Sequence, residues 1–333
     1  MAIKSESLKS ELTYAKGLAH PQRHHFGRVD LMLILTSLIW GVNYSVVKYA
    51  LTDFQPLAFN GLRFLLSSGI LLWIVRNRLR WSMIARGDRW PLIRLGVFGC
   101  GLYQVAFIEG MHLTLAGNAG LIQATSPIIT TLLSAYLGHD LLNRRARFGV
   151  SICFVGMVMV IWNGPHQFGL HGTTLGNLLI LIATILWSLY SVGVRRFARR
   201  YGSLETSSIV MLAGTIPLLA IASFSLVSQD WTAVRAISWG GLLFSGVFAI
   251  ALSYILWNHG LKHIGGTRTS SYSNLTPIVA LLFAWLTLGE EPNRYQLIGA
   301  ATIFLGIYLT RQGVRTIHET FGETSAESSG LGR

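Results

Sequence analysis

The chain contains ten long apolar stretches, and these constrain its fold more than any other feature of the sequence. They occupy residues 31–51, 57–75, 91–110, 117–138, 148–163, 174–194, 206–227, 239–258, 269–289 and 295–310. A helix that crosses the roughly 30 Å hydrocarbon layer of a membrane needs about 20 mostly apolar residues. Only 12% of the 333 residues are charged, against about 25% in ordinary soluble domains. The sequence therefore predicts an all-α integral membrane protein with ten transmembrane helices.

Lysine and arginine are concentrated in every second segment between these stretches. If the N-terminus lies in the cytoplasm, 22 of the 27 basic residues fall in cytoplasmic segments and two in outer loops. Cytoplasmic loops of membrane proteins carry this excess of positive charge. We therefore predict a multi-pass protein of the cytoplasmic (inner) membrane with both termini in the cytoplasm. The net charge of +13 is interpreted as a fringe that faces anionic headgroups, so no nucleic-acid partner is expected.

The two halves of the chain resemble each other when one is shifted by about 150 residues. Three sets of residues align: Phe107–Gly110 with Trp257–Gly260, Ala124–Ile128 with Asn274–Ile278, and Gly149 and Gly156 with Gly299 and Gly306. Each half holds five stretches, and five is odd, so the second half starts on the opposite side of the membrane. Inverted repeats of this kind are common in secondary transporters. The predicted units are repeats at 30–163 and 174–310, with cytoplasmic tails at 1–29 and 311–333.

Several short motifs are similar to those of a known family. They are Leu38–Asn43, Leu62–Leu65, Ser126–Ile128, Leu186–Tyr190, Ser253–Trp257, Thr276–Val279 and Leu288–Glu290. Together they resemble the drug/metabolite transporter superfamily, in its EamA branch of ten-helix exporters and permeases, over about 31–310. The resemblance implies a bacterial membrane carrier of amino acids, metabolites or toxic small molecules. The chain departs from the pattern at Leu137–Asp140, where the family has Leu-Gly-Glu; that glutamate is expected to cap a helix or pair with loop arginines.

Polar and amphipathic side chains at membrane depth cluster in six of the ten stretches. Such residues are costly in lipid unless they line a cavity or find a partner. The predicted substrate-binding residues are Trp40, Asn43, Tyr44, Tyr103, Gln104, Gln123, Trp187, Tyr190, Tyr254, Trp257, Tyr272 and Asn274. Their aromatic rings suit a flat or zwitterionic organic solute. The alternative for each polar group is a hydrogen bond that joins neighbouring helices.

Three charged residues in or near the stretches allow two interpretations. Lys48, Arg63 and Glu109 either form structural pairs, with Asp53 as a further partner, or attract an anionic group and couple charge to transport. Pro127 and Pro277 occupy equivalent places in the two halves. Each is either a structural kink or a hinge that reshapes the cavity, because proline removes a backbone hydrogen bond from a helix.

The predicted function is secondary transport of a small organic metabolite by alternating access. Export of an amino acid is favoured, with a weak preference for aromatic side chains. The alternatives are a carrier of a phosphate-bearing solute held by Lys48 and Arg63, and, from another class, an integral-membrane enzyme or receptor. The predicted partners are a small-molecule substrate and the lipid bilayer. No catalytic residue, metal site or cofactor is predicted, and the two cysteines, Cys100 and Cys153, are interpreted as buried structural thiols.

Overall fold

The computed structural model describes residues 27–78, 83–136, 140–162, 172–264, 269–270, 272–312 and 314–316. These residues form ten helical segments in chain order. They are α1 (Arg28–Ala50), α2 (Pro56–Val75), α3 (Arg86–Leu113), α4 in two pieces (α4a, Ala116–Gln123; α4b, Ser126–Tyr136), α5 (Arg144–Trp162), α6 (Gly172–Tyr201), α7 (Ser203–Ser228), α8 (Ala236–His263), α9 (Leu275–Leu288) and α10 (Arg294–Gln312). Each predicted stretch overlaps one of them.

The helices confirm the prediction of an all-α membrane protein. Six of those described, α1, α2, α3, α6, α7 and α8, are long and apolar enough to cross a membrane. Large apolar side chains such as Trp73 and Ile216, 64% and 65% exposed, lie on their outer surfaces, as lipid contact requires. Two short strands were not predicted, β1 (Asp140–Leu142) and β2 (Val314–Thr316). They pair antiparallel, with Asp140 opposite Thr316, so residues 314–316 of the predicted C-terminal tail form a strand.

The helices of the two halves pack in matching pairs. α5 packs on α10 and α2 on α7. α3 packs on α6 as α1 does on α8, and α4 packs on α6 as α9 does on α1. Exchanging each helix with its counterpart five places along the chain leaves this list unchanged. Two related five-helix units that face each other across a two-fold axis would produce this pattern.

Glycines bring α5 and α10 into close backbone contact. A Cβ atom added at Gly149 would lie 2.7 Å from the backbone oxygen of Gly306, and one at Gly156 would lie 2.8 Å from that of Gly299. Seen from α10, a Cβ at Gly306 would lie 2.7 Å from the Gly149 oxygen. Small residues at helix crossings allow this approach in membranes. The four aligned glycines of the repeat therefore form one reciprocal contact.

Polar contacts between loops join segments that the charge pattern assigns to the same side. Asp53, after α1, binds Arg235, before α8, while Arg200 Nη1, at the end of α6, donates to Asp88 at 2.8 Å. The β1–β2 ribbon joins the segments after α4 and α10. In each contact, an even number of helices separates the two segments along the chain, so a chain that changes sides with every helix has both on the same side. The alternation of sides predicted from lysine and arginine therefore agrees with the contacts.

Glu290, in the Leu-Gly-Glu motif of the second half, caps a helix. Glu290 accepts hydrogen bonds from the backbone N–H groups of Ala116 and Gly117, each at 3.1 Å. A carboxylate there satisfies free donors and complements the positive end of the helix dipole of α4a. The first-half departure at 137–139 lies outside the described residues.

Asp53 provides a pH-dependent contact at the loop between α1 and α2. Hydrogen bonds from Arg235 and Ser238 hold the pKa of the Asp53 carboxyl well below its usual range. The folded pKa is below the unfolded one, about 3.9, so the stabilisation is present above about pH 4 and is lost as the pH falls through the folded pKa. We expect Asp53→Asn to lower the thermal-unfolding midpoint at pH 7, with the difference shrinking toward pH 3.

The measurement compares the unfolding midpoints of the native protein and Asp53→Asn in detergent between pH 7 and pH 3. Glu291→Gln, a change at an exposed acid, serves as the matched control. An equal difference between Asp53→Asn and the native protein at both ends of this range would contradict the role assigned to the Asp53 carboxylate.

Candidate functional site

A cavity with about 660 Å³ of empty space, including the part open to solvent, lies between helices of both halves. Its walls come from α1, α2, α3, α4, α6, α8 and α9. The lining residues are Trp40, Asn43, Tyr44, Arg63, Tyr103, Gln104, Phe107, Gly120, Gln123, Ala124, Ser126, Trp187, Ala249, Ile250, Tyr254, Ser273, Thr276 and Pro277.

Eight of the twelve predicted substrate-binding residues line this cavity: Trp40, Asn43, Tyr44, Tyr103, Gln104, Gln123, Trp187 and Tyr254. Tyr190 and Trp257 do not line it, but their rings contact the ring of Trp187, at 5.3 Å and 6.0 Å between centroids. Tyr272 and Asn274 lie elsewhere. The Tyr272 hydroxyl donates to Asp30 at the start of α1, and Asn274 directly precedes α9.

Trp187 lies at the centre of an aromatic cluster. Its ring contacts five others: Trp40 at 5.6 Å, Tyr103 at 5.5 Å, Tyr190 at 5.3 Å, Tyr254 at 5.5 Å and Trp257 at 6.0 Å. Trp187 and Trp40 occupy similar motifs in the two halves, so their edge-to-face contact joins the repeats. Stacked and edge-to-face rings stabilise each other beyond the effect of burial alone. The result is an aromatic wall whose polar groups are indole N–H groups and tyrosine hydroxyls.

Two π-helical segments lie at or beside the cavity wall. They are Val97–Leu102 in α3, which directly precedes the lining residue Tyr103, and Ser245–Leu252 in α8, which contributes Ala249 and Ile250 to the lining. The two segments overlap under the 150-residue shift. The indole N–H of Trp40 donates to the carbonyl oxygen of Ala249, within the second segment, at 2.9 Å. A π-helix leaves carbonyls off the regular ladder and is common at functional sites. This bond holds Trp40 against α8 from the opposite half.

Arg63 lines the cavity and is almost completely buried, with 1% of its surface exposed. Its Nε donates to Asn60 Oδ1 at 2.7 Å, its Nη1 to Ser245 Oγ at 2.9 Å and its Nη2 to Gln104 Oε1 at 2.6 Å. All three acceptors are neutral. Its guanidinium also lies over the rings of Phe59 and Phe107, at 5.4 Å and 5.7 Å.

The charged residues are arranged differently from the predicted pairs. Asp53 binds Arg235 rather than Lys48 or Arg63. The Lys48 ammonium donates to the carbonyl oxygens of Met111 and His112, both at 3.0 Å, and does not line the cavity. These bonds cap the C-terminal end of α3, where a cation complements the helix dipole. Glu109 is partly buried on α3 and is not among the cavity-lining residues.

The two prolines lie in the first turn of a helix rather than in its interior. Pro127 is the second residue of α4b, after a turn at 124–125, and Pro277 is the third residue of α9. Proline is tolerated there because the first helical N–H groups have no partner within the helix. A kink was expected inside a helix, but the helix instead breaks before each proline. Both breaks border the cavity, because Ser126 and Pro277 line it.

The predicted site residues did not include Asn60 and Ser245, which hold Arg63 in place. Asn60 donates to the Gln104 carbonyl at 2.9 Å and accepts from Arg63, which joins α2 to α3. Ser245, on α8, completes the Arg63 contacts. The spacing of three residues between Asn60 and Arg63 places both on one helix face, and this signal was available. The participation of Ser245 required knowledge of how α8 packs on α2.

A family model described as the EamA-like transporter family matches residues 27–162 and again 174–312. An uncharacterized transporter of Bacillus subtilis, YyaM, is 28% identical over 86% of this chain and 94% of its own length. A Salmonella typhimurium protein named "Probable amino-acid metabolite efflux pump" is 26% identical over 85% of this chain and 95% of its own length. A protein of known crystal structure shares the fold, with a TM-score of 0.62, 20% identity, and coverage of 84% of this chain and 95% of that one.

The family model thus covers both halves, and the fold and the sequence motifs agree with it. The chain belongs to the EamA-like transporter family.

Proposed function

We propose that the chain is a secondary transporter that exports an amino acid across the inner membrane by alternating access, with aromatic side chains favoured. The observation that carries this proposal is the central cavity. Its wall combines the rings of Trp40, Tyr44, Tyr103, Trp187 and Tyr254 with amide groups, as a small organic solute with both apolar and polar parts requires. Its position among helices of both halves is where transporters bind their substrates.

The proposed architecture is ten membrane-spanning helices in an inverted 5+5 repeat. The repeats extend over 30–163 and 174–310, with the tails at 1–29 and 311–333 in the cytoplasm. The matching helix pairs support this proposal, as do the reciprocal glycine contacts of α5 and α10 and the paired π-helical segments. Two related units allow two similar packings, one open to each side. Pro127 and Pro277 are the proposed hinges, because each follows a break in a helix that borders the cavity.

The direction and the substrate class rest on two further considerations. A similar Salmonella protein is named an amino-acid metabolite efflux pump, which favours export and an amino acid. The alternative substrate, a phosphate-bearing solute, was predicted to need both Lys48 and Arg63. Lys48 binds backbone carbonyls at the end of α3 instead, so the two-cation site of that alternative is incomplete.

Uptake into proteoliposomes tests the proposal. The purified protein is reconstituted, and entry of a panel of labelled amino acids, organic phosphates and organic cations is followed. We expect uptake of at least one apolar or aromatic amino acid well above that of protein-free vesicles, and loss of this uptake in Trp40→Ala. Absence of flux for every amino acid would overturn the proposed substrate class, and selective phosphate flux would favour the alternative.

A further inference from the structure

We infer that Arg63 is the anchor for the carboxylate of the transported solute, which makes this buried arginine a specificity-determining residue of the cavity. The inference rests on the proposed transport of an amino acid and adds which residue recognises its charged group. It also assigns the opposite pole of the solute: the ammonium group is bound by Asn43 Oδ1 and the surrounding aromatic faces.

The first observation is a buried positive charge with neutral partners. A guanidinium remains protonated in proteins. Placing such a charge in a low-dielectric interior is costly unless a counter-charge compensates it. The Arg63 side chain is 1% exposed, and within the described ranges its three hydrogen bonds go to an asparagine, a serine and a glutamine. A neutral donor would satisfy these acceptors without the cost of burying a charge.

The second observation is the place of Arg63 in the cavity. It is one of the residues that line the cavity. A guanidinium has five N–H donors in a planar fork, and three are used by the bonds already described. Arginine binds carboxylates through such forks in two parallel, charge-assisted hydrogen bonds. Asn60, Gln104 and Ser245 hold the fork from three helices, which fixes its direction before a solute arrives.

The third observation is an unsatisfied acceptor in the same cavity. Asn43 is 7% exposed and lines the cavity, and its Oδ1 atom has no hydrogen-bond partner within the described part of the chain. A buried acceptor without a donor is costly. A solute ammonium supplies that donor, and the faces of Trp40 and Tyr103 nearby attract a cation. The lining therefore contains a positive charge with neutral partners and an unsatisfied acceptor, which the carboxylate and the ammonium of a zwitterion complement.

The alternative role for Arg63 is purely structural: it would join α2, α3 and α8 through its hydrogen bonds. The two roles differ in how they depend on the charge of the ligand. A structural tie affects folding and all ligands alike, whereas an anchor affects only ligands that carry a carboxylate. Ligand pairs that differ by this one group therefore separate the two roles in the native protein, before any substitution is made.

The experiment measures the shift of the thermal-unfolding midpoint and the binding affinity for phenylalanine, phenylalaninamide, phenethylamine and 3-phenylpropionate. It uses the native protein, Arg63→Gln, Arg63→Lys and the control Arg76→Gln, an exposed arginine after the same helix. In the native protein we expect phenylalanine to bind at least tenfold more tightly than phenylalaninamide or phenethylamine. Arg63→Gln should lose this preference for phenylalanine but keep the weak binding of phenethylamine. Arg63→Lys should show part of the preference, and Arg76→Gln should show all of it.

Equal binding of phenylalanine and phenethylamine by the native protein would overturn the role of Arg63, even if Arg63→Gln fails to fold. If phenylalanine still exchanges across proteoliposomes in that case, the proposed transport function survives. If the native protein neither binds nor exchanges phenylalanine or any other amino acid, the proposed substrate class fails and the carboxylate anchor fails with it. Retention of the full preference in Arg63→Gln would also overturn the inference.

Discussion

Replacement of Trp187 by alanine is expected to reduce amino-acid uptake at least tenfold. The ring lines the cavity and contacts five other aromatic rings, so its removal takes away a wall and releases its neighbours. Large-to-small changes of buried aromatic residues cost about 3–5 kcal/mol of stability. A loss of only about 1.4 kcal/mol of binding already lowers affinity tenfold. Both effects act in the same direction at this position.

The measurement is initial uptake into proteoliposomes that contain equal amounts of folded protein. Trp187→Phe keeps a ring against Tyr190, and we expect it to retain a substantial share of the uptake. Trp285→Ala is the matched control, because Trp285 is 52% exposed on the outer surface and should leave uptake unchanged. Uptake by Trp187→Ala within twofold of the native value would show that the aromatic cluster does not form the substrate site.

Substitution of Gly149 by alanine is expected to destabilise the folded protein strongly. The added Cβ would lie 2.5 Å from the backbone nitrogen of Thr310 and 2.7 Å from the Gly306 oxygen, and backbone atoms yield less readily than side-chain ends. Overpacking of this kind costs about 1–3 kcal/mol. Gly299→Ala meets the Gly156 oxygen at 2.9 Å, so we expect an effect of similar size from the other half.

The thermal-unfolding midpoint in detergent measures this effect, with Gly69→Ala as the control. A Cβ at Gly69 meets no atom within 4 Å, and alanine favours the helix over glycine by roughly 1 kcal/mol. Gly69→Ala should therefore be at least as stable as the native protein, while Gly149→Ala unfolds several degrees lower. Equal midpoints for the two variants would contradict the close α5–α10 contact.

Hydropathy alone located all ten helical segments, because lipid requires long uninterrupted apolar runs. Their ends were less well predicted. α6 continues to Tyr201, beyond the predicted end at 194. Arg195–Arg200 are helical although they lie outside the apolar run, and hydropathy does not report such an extension. The breaks before Pro127 and Pro277 were expected as kinks, since sequence shows that a proline removes a hydrogen bond but not whether a new helix starts there.

The aromatic wall was also predictable, because Trp40, Tyr103, Trp187 and Tyr254 interrupt apolar runs at membrane depth. The partners of charged residues were not. Arg63 binds Ser245, 182 positions away, and only the packing of α8 on α2 brings these residues together. Asp53 binds Arg235 for the same reason. Pairings across the two halves depend on tertiary contacts, and no local spacing in the sequence reports them.

Counterflow tests alternating access through this cavity most directly. Proteoliposomes loaded with unlabelled phenylalanine are diluted into buffer that contains a trace of labelled phenylalanine, and internal label is followed over time. A carrier whose site faces one side at a time exchanges the two, so label should rise transiently above its external concentration in vesicles with the native protein and not in those with Trp187→Ala. Equilibration without such an overshoot, or no entry of label for phenylalanine or any other amino acid, would contradict transport by alternating access.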